Sequence, residues 1–200
     1  MEIKLPIYSA LINEDGTGVY CVSLVKDPAT EVDFVYFDKD KEIEKFAVEN
    51  PTEHVVAGVI MLADTLIYRR NGTFEYYVNY SKETLKQIAE QMIKDGVGSN
   101  VNIQHVEGSN VDGVNLQELF VIDREKGIDP VFFKDVPDGS LIGFYKVHND
   151  DVWKQIENGD VLSFSLEGIF NLVTEEFKSD EDAEYEEIVE LINKIKNKLK

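Results

Sequence analysis

The sequence predicts a mainly β fold of the α+β type, a mostly antiparallel β-barrel or sandwich flanked by helices. Three observations carry this. Short β-branched and aromatic runs recur along the chain, separated by turn signals. Only two or three stretches have helical spacing, and they do not alternate regularly with the strands, which argues against a doubly wound parallel sheet. At 200 residues the chain can bury one sizeable core.

The elements follow in order. Residues 3–12 read as a strand, and Asp15-Gly16-Thr17-Gly18 as a turn. Val19 to Val25 is a nearly continuous apolar run, expected as a buried strand that ends before Pro28, a residue that cannot donate to a ladder. Val32 to Phe37 reads as another strand, and Ala47 lies near the start of a weak one. Val55 to Leu62 is strongly apolar, and Tyr68 and Phe74 to Tyr80 form an aromatic pair of strands across Asn71-Gly72, a hairpin turn signal. Ser81 is a helix N-cap, followed by one apolar face at Leu85, Ile88, Ala89, Met92 and Ile93 and stopped by Gly96 and Gly98. Strands are expected at Val101 to Val106, Val114 to Asp123 and Leu141 to Val147. Asn149 caps a short helix carrying Val152, Trp153 and Ile156, which Gly159 closes, and Val161 to Val173 is a further strand.

The chain changes character after Thr174. Nine acids and one lysine lie between Glu175 and Glu190. Ile188, Leu191, Ile192, Ile195 and Leu199 then mark an amphipathic helix, with acids at its start and lysines at its end to suit the helix dipole. The expected division is a β domain over 1–174 and an acidic linker with a C-terminal helix over 175–200. That helix is a candidate surface for self-association, although two heptads do not select among packing on the body, pairing with another chain, or a longer coiled coil.

Composition narrows the function. A formal net charge of −19 argues against nucleic acid and anionic membranes as partners, since nothing in excess neutralises phosphate. The single cysteine, Cys21, excludes an internal disulfide and fits a reducing compartment. The first residues lack a signal-peptide pattern, and no apolar run approaches the roughly 20 residues of a membrane helix. There is no GxGxxG and no Walker-type loop, and one cysteine with the scattered His54, His105 and His148 gives no zinc spacing. No cofactor or metal is expected.

Two segments carry nucleophile chemistry. Asn102-Ile103-Gln104-His105 puts a histidine at a strand end before the polar loop Glu107-Gly108-Ser109-Asn110, where a base is both fixed and accessible. Ser163-Phe164-Ser165-Leu166-Glu167-Gly168 puts serines in an apolar strand. This is not the GxSxG elbow, since position 163 is serine and no helix follows. Each residue alone reads more readily as structural. His148 beside a helix cap and His54 at a strand entrance read as structural as well.

Taken in order, Val22-Ser23-Leu24-Val25-Lys26-Asp27-Pro28-Ala29, then Asn102 to His105, then Leu116 to Asp123, Asn149 to Trp153 and Ser163 to Gly168 form a set. That set, over roughly 18–172, resembles the XkdF-like branch of the phage prohead proteases, a group similar to the herpesvirus assemblins. The resemblance implies a β-barrel wrapped by helices with a serine–histidine active site. It puts the base at His105 and the nucleophile at Ser165, with Ser163 as the fallback two positions away.

The third catalytic member is where the sequence departs from that family. The related strand, which carries a glutamate in many prohead proteases, lies here near the N-terminus and has Cys21 at the matching position. A permuted strand order follows, in which 19–25 fills the place of a C-terminal strand beside Ser165. Cysteine cannot orient an imidazole as a carboxylate does. Glu118, on the strand after His105, is the candidate replacement; the alternative is a dyad. The implied activity is a serine endopeptidase that cleaves scaffold and major capsid protein precursors, and itself, in the immature phage head within the host cytoplasm. The competing readings are a phage head assembly protein that keeps this fold without catalysis, and a β-rich binding module using the aromatic strand 74–80.

Overall fold

The computed structural model describes residues 5–13, 17–27, 35–36, 53–106 and 108–174. In chain order the strands are β1 (Ile7–Leu11), β2 (Gly18–Val25), β3 (Val35–Tyr36), β4 (Val55–Met61), β5 (Ile67–Asn71) and β6 (Phe74–Asn79). Helix α1 (Lys82–Asp95) and the strands β7 (Val101–Ile103), β8 (Val114–Val121) and β9 (Leu141–Val147) follow. Helix α2 (Asp150–Glu157), β10 (Ser163–Ile169) and β11 (Asn171–Thr174) complete the described chain. The expected strand near Ala47, the rest of the run 32–37 and the segment 175–200 lie outside the described residues.

The protein is mainly β, and most strand pairs are antiparallel. The strands form three sheets, ordered β11-β1-β6-β5, β10-β2-β7 and β3-β4-β9-β8. Two pairs, β1 with β6 and β2 with β7, are parallel. None of these sheets closes on itself among the described residues, so they do not establish the barrel expected from the sequence. The three-stranded ladder stops at its edge strands β10 and β7, each of which pairs with β2 and, among the described residues, with no strand of either four-stranded sheet.

The two most apolar runs became the most enclosed strands. Every residue of β4 is buried, and β4 lies between β3 and β9. Strand β2 lies between β10 and β7 and is buried except at Tyr20. The hairpin β5–β6 closes with Asn71 opposite Phe74, so its two-residue loop is Gly72-Thr73, one position later than the asparagine–glycine signal places it, with Gly72 at a φ of 62°. No helix among the described residues is long and apolar enough to cross a membrane.

Helix α1 starts where Ser81 Oγ accepts from Thr84 N at 3.1 Å and ends at Gly96, whose φ of 67° is the left-handed conformation glycine adopts without strain. It buries Leu85, Ile88 and Met92, but Ile93 is exposed. At i+8 that residue is rotated about 80° from Leu85, to the margin of the buried stripe. Helix α2 is capped by Asn149, whose Oδ1 accepts from Asp151 N and Val152 N, and buries Val152, Trp153 and Ile156. Both helices add to one core shared by the sheets, which includes Leu24, Ile60, Tyr145 and Phe164.

Two predicted strands are shorter than expected. The strand from Val101 ends at Ile103, because Gln104 and His105 turn away, and the long run 161–173 breaks at Phe170 into β10 and β11.

Candidate active site

Side chains alternate along a strand, so Ser163, Ser165 and Glu167 share one face of β10 while Phe164 and Leu166 take the other. Phe164 is fully buried, with its ring centroid 4.6 Å from that of Tyr145. Register carries the same division across the sheet. Ser165 stands opposite Ser23 on β2, and Ser23 in turn opposite Asn102 on β7. Glu167 stands opposite Cys21. The three-stranded sheet therefore has an apolar face in the core and a face bearing Ser165, Ser23, Asn102, Glu167 and Cys21.

A bulge follows directly. The register slips after Glu167, so that Gly168 pairs with Val19 and Tyr20 is left over. A Cβ at Gly168 would come within 2.7 Å of the Gly18 carbonyl oxygen, so only glycine permits this approach. Such bulges bend the strand that carries the extra residue, here β2 at Tyr20.

His105 arrives from the other edge. Val106 N donates to Ile103 O at 3.2 Å, closing a turn whose central residues, Gln104 and His105, have φ of 56° and 57°. Two consecutive positive values mark the type I′ geometry that asparagine and glycine usually supply. Holding ordinary residues there costs on the order of 1–3 kcal/mol each. The surroundings impose it: His105 N donates to Ser23 Oγ at 2.9 Å, and Gln104 N to Leu24 O at 2.9 Å. The Gln104 side chain adds contacts to Lys26 N and to the Asp160 carbonyl.

The imidazole meets Glu167. His105 Nδ1 lies 2.9 Å from Glu167 Oε1, and Asn102 Nδ2 donates to the same oxygen at 2.7 Å. An ionised carboxylate only accepts, so Nδ1 carries the proton and Nε2 is the basic nitrogen. His105 separates two grooves. One, of about 430 Å³, is lined by Ser165, His105, Leu166, Asp27, Tyr68 and Arg69. The other, of about 500 Å³, holds Glu167, Asn102, Cys21 and Tyr20 among its walls.

The carboxylate is felt by its neighbours. Burial, then the Glu167 charge, pushes the Cys21 thiol up to about 11, so Cys21 is a neutral thiol near neutral pH and no thiolate nucleophile. Burial and Glu167 likewise raise the Tyr20 hydroxyl.

Of the residues singled out in the sequence, His105 and Ser165 line one groove. Ser163 is fully buried on the same strand face. Glu118 is exposed on β8, opposite Phe144 in a different sheet, and the carboxylate at His105 is Glu167 instead. Glu118 follows His105 in sequence, but β8 pairs with β9, which carries it away from the β10-β2-β7 sheet. The His54 ring stacks on Trp153 with centroids 4.3 Å apart, and the His148 main-chain N donates to Gly113 O. Local sequence pattern does not single out Glu167 or Asn102. It does place Glu167 two residues after Ser165 and hence on the same face.

A family model described as "Putative phage serine protease XkdF" matches residues 42–175. The chain belongs to this family. The XkdF match spans about two thirds of the 200 residues and takes in Asn102, His105, Ser165 and Glu167. Strands β1 and β2 precede the matched span, yet β2 supplies the strand between β7 and β10. The adjacency to Ser165 that a permuted strand order requires is thus present. No curated protein and no solved structure matches the chain.

Proposed function

We propose that the protein is a serine endopeptidase in which Ser165 is the nucleophile, His105 the general base and Glu167 the carboxylate that orients it. The observation that carries this reading is the 2.9 Å contact of His105 Nδ1 with Glu167 Oε1, beside a groove lined by both His105 and Ser165.

The chemistry follows from those roles. Nε2 takes the proton of Ser165 as Oγ attacks a peptide carbonyl, forming the Oγ–C bond and a tetrahedral oxyanion. The intermediate collapses as His105 returns the proton to the departing amine, leaving an acyl-serine. Water, deprotonated by the same nitrogen, then releases the acid and restores the serine. General-base catalysis of this kind contributes about 10²–10⁴ in rate.

The substrates in this reading are phage scaffold and major capsid protein precursors, with self-cleavage, inside the immature head in the host cytoplasm. Family membership and the acidic, scaffold-like segment after Thr174 support it. Self-association would run through the C-terminal segment.

The test is labelling with a serine-directed fluorophosphonate, comparing the parent with Ser165→Ala, Ser163→Ala and His105→Ala. Labelling of the parent and of Ser163→Ala, lost in the other two, is expected. Labelling retained in Ser165→Ala would move the nucleophile elsewhere. No labelling in any form, with the fold intact, would favour a head assembly protein that keeps the fold without chemistry.

A further inference from the structure

We propose that Asn102 is a positioning residue of this site, clamping Glu167 so that one carboxylate oxygen is held against His105 Nδ1. The inference rests on the protease reading above and adds to it a residue outside the Ser–His–Glu set.

Three observations carry it. The first is geometric: Asn102 Nδ2 and His105 Nδ1 converge on the same atom, Glu167 Oε1, at 2.7 and 2.9 Å. The clamp and the base thus compete for no separate acceptor; the amide fixes the oxygen that the ring uses. The second is topological. Asn102 stands in the cross-strand row Ser165–Ser23–Asn102, in which Ser23 Oγ also accepts from the His105 backbone. One row therefore bears the nucleophile, the anchor of the base's main chain and the anchor of its carboxylate.

The third is energetic. Asn102 is 5% exposed, and its Oδ1 is buried with no hydrogen-bond partner among the described residues. The amide cannot flip to satisfy that oxygen, because a carboxylate accepts and must face the NH2 group. A buried, unsatisfied carbonyl costs stability. An apolar residue of similar size would avoid that cost, so stability alone does not explain an asparagine here.

The electrostatic setting makes the role measurable. Glu167 from β10 and Tyr20 and Cys21 from β2 face His105 on the Asn102 side. Asp27 and the β5 residues Tyr68 and Arg69 face it on the Ser165 side. Asn102→Ala removes the donor and adds no charge. Asn102→Asp removes it and adds a second carboxylate, which favours the protonated imidazole.

The experiment measures fluorophosphonate labelling rates of the full chain against pH, with the tautomer of His105 read by NMR of the ring nitrogens. Expected for Asn102→Ala is a loss of about ten-fold in labelling rate, the size of one hydrogen bond to a charged group. Its imidazole should also lose the fixed Nδ1–H form. In Asn102→Asp the fall of labelling on the acid side should move to higher pH. Unchanged tautomer and pH dependence in both variants, with only a lower melting temperature, would overturn the proposal and leave Asn102 structural. If the parent fails to label while its Nδ1–H form is fixed and is lost in Asn102→Ala, the clamp stands and the protease reading falls.

Discussion

Glu167 and Cys21 face one another across the antiparallel β2–β10 pair. By the resemblance of β2 to a strand that carries a glutamate, Cys21 stands at the expected place of the carboxylate. Its cross-strand neighbour brings a carboxylate to His105 instead. A pair directly opposite has Cβ atoms about 4.5–5.5 Å apart, so a group moved from one member to the other still reaches the same ring.

Glu167→Gln tests this exchange. The amide keeps the shape, but its NH2 can donate to Nδ1 and place the ring proton on Nε2, the wrong nitrogen for a base. Labelling by fluorophosphonate should fall by about 10²–10⁴, the range of general-base assistance. A labelling rate within two-fold of the parent would remove Glu167 from the mechanism.

Cys21 reports on the same charge. Its thiol is pushed to about 11, first by burial and then by Glu167. At pH 8 the thiolate is scarce, and alkylation by iodoacetamide should be slow. Glu167→Gln removes the second cause but not the first, so the alkylation rate should rise while staying below that of an exposed cysteine. A rate that does not change between the two proteins would mean that Glu167 is protonated or turned away from the thiol.

Much of this arrangement was legible in the sequence. The alternation of Ser163, Ser165 and Glu167 along one strand is a local pattern, and so are the Ser81 and Asn149 caps and the asparagine–glycine hairpin. What joins His105 to Glu167 is not local. It depends on β7 running parallel to β2 while β10 runs antiparallel to it, a pairing with no signature in any one segment. Nor does a sequence announce that Gln104 and His105 adopt positive φ, since neither is a usual turn residue there. Glu118 follows His105 along the chain, but strand pairing places it in another sheet, opposite Phe144.

A charge network ties the start of α1 to the segment after β8. Lys82 meets Asp138 and Asp123, and Lys126 also pairs with Asp123. The Lys126 and Lys82 ammonium groups hold the Asp123 carboxyl below its ordinary range, and Lys82 with the Arg124 backbone does so for Asp138. Asp138 in turn raises Lys82. For the depressed carboxyls, stability is present above the unfolded value of about 3.9 and is lost as pH falls through the folded one. For Lys82 it is present below about 10.4 and is lost as pH rises through the folded value. Urea melts should show that Asp138→Asn destabilises at pH 7 and that the difference shrinks by pH 2. An equal difference at both pH values would assign the effect to packing.

Tyr145 links the core to the strand that bears Ser165. Its hydroxyl donates to the Gly98 carbonyl oxygen at 2.9 Å, and its ring lies against Phe164, between Ser163 and Ser165 in sequence. Both residues are fully buried, and burial raises the hydroxyl above its ordinary value, so it stays a neutral donor. Tyr145→Phe keeps the ring and strands the Gly98 carbonyl, which should cost about 1–3 kcal/mol in a urea melt with labelling at Ser165 retained. Tyr145→Ala also removes the support under Phe164. A large-to-small change of this kind should cost about 3–5 kcal/mol and reduce labelling, because β10 would relax into the space. Equal labelling in the two variants at matched folded fractions would mean that β2 alone, through the Ser23–Ser165 pair, sets the position of the nucleophile.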